Sequence, residues 1–154
     1  MAIYHLSVKI GSRANGNSAV ASASYRSAEK LHSQTDNKTF DYTRKQAVVY
    51  TEIMLPENAP EEYADRETLW NGVEMSEKQA NAQLYREFEI SLPNECTRDE
   101  QIAMTRRFAD SLRQEGMCVD IAIHDVKAGQ YRTKHRKTTT DNCHAHILCT
   151  MRSL

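Results

Sequence analysis

Apolar and polar residues alternate with a period of two over several stretches of this chain, and each such stretch predicts a strand. In residues 2–10, Ala2, Tyr4, Leu6, Val8 and Ile10 fall on one side, and Ile3, His5, Ser7 and Lys9 on the other. Residues 11–17 form a turn-rich loop, and Ser18 is a suitable N-cap for a helix reaching about His32. Polar residues 34–45 predict a loop. Residues 47–55 are β-branched and apolar and stop at Pro56, which predicts a second strand. Pro60 suits the first turn of a helix through Trp70, with a further short helix over 76–83. Residues 85–92 alternate again and end at Pro93. Thr97 with Glu100 spells a capping box, opening a helix with Ile102, Phe108, Ala109 and Leu112 on one face, closed by Gly116. Residues 118–125 and 143–151 read as strands, separated by a polar, basic segment without apolar pattern.

The resulting order, β-α-β-α-β-α-β-β, has no glycine-rich phosphate turn at a crossover. It predicts an α+β domain with a mainly antiparallel central sheet and helices packed on it. A chain of 154 residues fits one domain with a real core. Hydrophobic residues make up 40% and charged residues 27%, an ordinary soluble composition. No apolar run approaches the ~18 residues of a membrane span, and the alternating N-terminus does not read as a signal peptide. Four cysteines without CxxC spacing read as free, buried thiols of a reducing cytoplasm.

The pI of about 6.6 lacks the basic balance usual in nucleic-acid-binding domains. The charge is nonetheless segregated: residues 57–77 are acidic, while 127–137 carry Lys127, Arg132, Lys134, Arg136 and Lys137 with no acid. A polarised domain can receive an anion on one face while its net charge stays near zero.

Strand parity then picks out candidate chemistry. His144 and His146 share one face of the last strand, while Cys143, Ala145 and Ile147 take the other. In residues 118–125, Asp120, Ala122 and His124 oppose the apolar Val119, Ile121 and Ile123. If these two strands are neighbours, three imidazoles meet on one face, a donor set that leaves coordination positions open as catalytic metal sites do. His32 and His135 read as a helix-end and a solvated residue. Ala21, Tyr25 and Ala28 share a helical face whose small neighbours allow close approach to a sheet, and Arg26 follows with a fork suited to phosphate. A tyrosine needs a base or a cation to act as a nucleophile. Glu87, Glu89 and Ser91 share a strand face, and a carboxylate there suits either a histidine N–H or the tyrosine proton.

The segments AIYHLSVK, GNSAVASASYRSAEKL, LWNGVEMSEKQANAQLYREFEISLP, VDIAIHD and NCHAHILCTMR, in this order, resemble the MobA/MobL family of plasmid mobilisation relaxases, of the HUH endonuclease class. The resemblance covers residues 2–152. It implies Tyr25 as catalytic tyrosine, Glu87 as the supporting acid, and His124, His144 and His146 as ligands of one divalent metal ion. Three imidazoles suit Zn²⁺, Ni²⁺, Co²⁺ or Mn²⁺, and Mg²⁺ is a further candidate for such a centre. It implies a relaxase fold, shortened at its C-terminal end over 1–154, and a single-stranded substrate at an origin-of-transfer hairpin. Relaxosome accessory proteins are implied partners, and Arg26, Lys134 and Arg136 candidate DNA contacts. The reaction implied is strand-specific nicking through a 5′-phosphotyrosine link. The alternatives are a three-histidine hydrolase using activated water and a non-catalytic DNA-binding module derived from a relaxase.

Overall fold

A computed structural model describes residues 5–125 and 143–153. Its strands are β1 (Leu6–Ser12), β2 (Lys30–Ser33), β3 (Lys38–Asp41), β4 (Val48–Met54), β5 (Gln83–Leu92), β6 (Val119–His124) and β7 (Cys143–Cys149). Its helices are α1 (Ala19–Ser27), α2 (Arg66–Ser76) and α3 (Arg98–Gln114). Five strands form one sheet in the order β1-β5-β7-β6-β4, and β2 and β3 pair as a separate hairpin. Every described neighbour pair in the large sheet is antiparallel, as the alternating patterns predict. The fold is α+β.

Each face of the sheet buries a different core. Phe88, Ile90, Cys143, Ala145, Ile147, Val119, Ile121 and Ile123 pack against Ala109, Ile102, Phe108 and Leu112 of α3. The capping box at Thr97 and Glu100 starts that helix, and Gly116, at φ 94°, takes the left-handed conformation just beyond its end. On the opposite face, α1 and α2 cover one half, with Ala19, Val20, Ala23, Leu69 and Trp70 against Leu84, Tyr85, Cys118 and Leu148. Gly11 lets β1 pass the buried Tyr85 ring, which a Cβ would meet at 2.1 Å. Tyr85 in turn shares a hydrogen bond with Ser22 of α1 at 2.7 Å, so the ring helps to seat the helix.

Four expectations are corrected. The helix capped by Ser18 stops at Ser27 instead of reaching His32, because Ala28 turns left-handed at φ 58°. Ser24 Oγ lies within hydrogen-bond reach of the carbonyls of Glu29 (2.6 Å) and Phe40 (3.0 Å), which draws the chain into the β2–β3 hairpin. Residues 34–45, expected as loop, therefore contain β3. Glu67 and Asn71 of α2 then hold the backbone of His32 and Gln34.

The helix expected from Pro60 begins instead at Arg66. Asp65 caps it by accepting from Thr68 N, a role proline lacks, and Glu61–Ala64 form only a 3-10 turn. The short helix expected over 76–83 is absent. Arg13 donates to the carbonyls of Glu74, Glu77 and Gln79 there, ending α2 before β5 begins. The four cysteines are free and buried, and among the described residues no helix is long and apolar enough to cross a membrane.

Candidate metal centre and tyrosine

The neighbour relation that parity alone left open is settled by the register. His124 lies directly across from His144, and Ala122 from His146. On the other side of β7, Ser91 faces His144 and Glu89 faces His146. By parity all of these lie on the sheet face that also carries α1 and α2. Ala122 contributes only a methyl opposite His146, so the His124 and His146 rings come to 4.5 Å between centroids. Cys143, turned to the other face, is buried in the α3 core.

Each of two imidazoles is held by one nitrogen. His124 donates from Nε2 to the carbonyl of Arg26 at 2.8 Å, which leaves Nδ1 with its lone pair. Burial, reinforced by His146, pushes His124 down to about 3, so it is neutral at physiological pH. His146 Nδ1 lies 3.1 Å from Glu87 Oε1. Burial alone raises the Glu87 carboxyl, but hydrogen bonds from His146 and Arg26 outweigh it and hold the group at about 2. An ionised carboxylate only accepts, so His146 donates from Nδ1 and presents Nε2. A neutral imidazole with one lone pair left over, as His124 has, is the donor chemistry a divalent metal needs.

Glu87, Glu89 and His146 bring their donor atoms within 4.8 Å of one another. This is the metal-competent group among the described residues: it sets two carboxylates beside one expected histidine, and the donors of His124 and His144 are not gathered into it. Both oxygens of Glu87 are already engaged, by His146 and by Arg26, which fits it better to orienting than to ligation.

Tyr25 sits on the last turn of α1, 43% exposed, with its ring edge-to-face on Tyr42 at 5.1 Å. The next residue joins it to the histidines. Arg26 gives its carbonyl to His124 and its Nε and Nη2 to Glu87 at 3.1 and 3.0 Å. The Arg26 fork expected on phosphate is therefore spent on a carboxylate. A residue that sequence reasoning passed over lies closer to the tyrosine: Lys45 Nζ stands 3.6 Å from the Tyr25 ring centroid and donates to the Tyr25 carbonyl at 3.1 Å. Its place in a polar segment gave no periodic signal. Lys134 and Arg136 lie outside the described residues.

An antiparallel sheet with hydrogen-bonded imidazoles on one face and an exposed tyrosine at the adjoining helix end defines a class of α+β domain built around a polar, metal-competent centre. The chain belongs to the MobA/MobL family, whose model matches residues 17–154. It is 38% identical over 162 residues to a "Mobilization protein MobL" of Acidithiobacillus ferridurans, covering 96% of this chain and 42% of that protein. It is 37% identical to a "Conjugal transfer protein TraA" of Rhizobium radiobacter, covering 100% of this chain and 14% of that one. A "Probable mobilization protein MobA" of Bifidobacterium longum is 36% identical, with 100% and 26% covered. The chain thus spans less than half the length of these curated relatives. A solved structure reported as "Molecular Basis of Vancomycin Resistance Transfer in Staphylococcus aureus" superposes with a TM-score of 0.85 at 42% identity, covering 99% of this chain and 72% of that one.

Proposed function

We propose that this domain is the DNA-nicking part of a plasmid-transfer relaxase, acting on single-stranded DNA at an origin of transfer. The observation that carries the reading is the Arg26 junction: one residue ties the end of the tyrosine helix to His124 by its backbone and to His146 through Glu87. Nucleophile and histidines are thereby held in one frame, the arrangement that in-line attack on a bound phosphate requires. The relatives named for mobilisation and conjugal transfer support the same role.

Tyr25 is the nucleophile. Its oxygen forms a bond to phosphorus as the bond from phosphorus to the 3′-oxygen breaks. The phenolic proton is lost, the 3′-oxygen gains one, and the products are a 5′-phosphotyrosine and a free 3′-hydroxyl. The phosphoester count is unchanged, so rejoining needs no nucleoside triphosphate. His124, His144 and His146 are the residues that would hold a divalent ion. An ion bound there would supply positive charge to a phosphate oxygen. Glu87 keeps His146 in the tautomer that presents Nε2, and Arg26 fixes Glu87. These two are positioning residues.

The test is incubation with single-stranded oligonucleotides from candidate transfer origins and Mn²⁺ or Mg²⁺, followed by a denaturing gel. A covalent adduct that disappears in Tyr25→Phe is the expected result. Absence of adduct on every such DNA overturns the reading, and cleavage that persists in Tyr25→Phe assigns the chemistry to water instead.

A further inference from the structure

We infer that Lys45, with the cleft beside it, forms a second phosphate-binding position, for the DNA backbone next to the phosphate that Tyr25 attacks. The inference rests on the role of Tyr25 proposed above.

Lys45 lies in the connection between β3 and β4, against the C-terminal end of α1. Lys45 lines a cleft of about 370 Å³ together with Ser27, Ala28, Val48, Tyr50 and Thr51, at the small end of ligand sites. Its ammonium stands over the Tyr25 ring. The cleft and the nucleophile are therefore adjacent through one residue, Lys45. An ammonium has three N–H donors, and one of them is on the Tyr25 carbonyl.

The two cations beside Tyr25 differ in how their charge is answered. Arg26, whose Cζ lies 5.0 Å from the ring centroid, is paired with Glu87. Among the described residues, no carboxylate forms an ion pair with Lys45, although the side chain is half-buried. Burial, with Arg26 nearby, lowers Lys45 to about 8, as befits a cation whose charge no described carboxylate matches. Holding such a charge partly desolvated is costly unless an anion meets it. A single DNA strand supplies one phosphate after another. The strand that places one phosphate at the Tyr25 oxygen brings a neighbouring link to the cleft wall. A purely structural role, an ammonium capping a helix-end carbonyl, explains the bond to Tyr25 but not the missing counter-charge.

The test reads binding and chemistry separately. Binding of a single-stranded oligonucleotide is measured by fluorescence anisotropy across a salt series in the Tyr25→Phe chain, with and without Lys45→Met, Lys45→Gln or Lys45→Arg. The expected result is weaker binding for Lys45→Met and Lys45→Gln, with the salt slope reduced by about 0.7, one single-strand phosphate contact. Lys45→Arg keeps the slope. Thermal melts identify a variant that has lost its fold, and the glutamine variant still reaches the Tyr25 carbonyl. In the chain with Tyr25 intact, Lys45→Met raises the DNA concentration needed for half-maximal adduct. An unchanged slope in folded Lys45→Met and Lys45→Gln overturns the inference, as does a slower adduct rate at saturating DNA with binding unaltered. Failure of the Tyr25 chain to form any adduct sinks the nicking role, and is read independently of the slope.

Discussion

Asp120 and His124 share one face of β6, on the same sheet, and their surroundings differ completely. Asp120 lies under α2 and is saturated. Arg66 donates to it from Nε and Nη2, and Trp70 from Nε1 at 2.9 Å; Glu29 also pairs with Arg66. At the other end of the strand, His124 and His146 each spend one nitrogen on the protein, and among the described residues the second makes no hydrogen bond. Two buried polar clusters on one face thus serve opposite ends. The Asp120 cluster closes on itself and holds a helix down. The histidine cluster stays half-satisfied in its own frame, which makes sense where a ligand completes it.

The comparison breaks most severely if Asp120 proves dispensable. Asp120→Ala leaves the Arg66 guanidinium buried beside a single half-exposed acid, and is expected to lower stability by about 3–5 kcal/mol in urea unfolding. Glu87→Gln tests the open cluster. The amide keeps the shape but no longer enforces the His146 tautomer, so metal affinity should fall about 10–100-fold in chelator competition while the fold survives. Trp70→Phe removes one of the donors to Asp120 and should cost about 1 kcal/mol, well below Asp120→Ala, since Arg66 still satisfies the carboxylate.

The acid limb sharpens the contrast further. His124 takes up its proton at about 3 when folded, against about 6.5 unfolded. The unfolded chain therefore binds the proton first, and metal-free stability falls as pH drops from about 6.5 towards 3. Glu87, held at about 2, adds a loss that begins near 4.5 and completes towards 2. His124→Asn should remove the first part of that decline and leave the second, in thermal melts with chelator present.

Much of this was legible beforehand where the signal was local. The capping box at Thr97, the Ser18 cap and the alternation over residues 85–92 and 118–125 all appear where they were expected. The parity that placed His144 and His146 together and turned Cys143 away follows from pleat geometry and needs no tertiary information. What the pattern missed lies where a distant contact outweighs a local preference. Helix propensity through Ala28 yields to Ser24 on the Phe40 carbonyl and to Glu67 of α2, whereas Pro60 yields to a competing local cap at Asp65.

The amino-acid sequence alone thus determined the five strands of the large sheet, their inward and outward residues, the starts of α1 and α3 and the histidines able to meet. These depend on neighbours a few positions apart. Only the tertiary structure decided that β7 lies between β5 and β6, that Arg26 is committed to Glu87, and that Lys45 stands on the Tyr25 ring. Those facts come from pairs separated by tens of residues, where chain closure and packing, with no local periodicity to mark them, choose the partner.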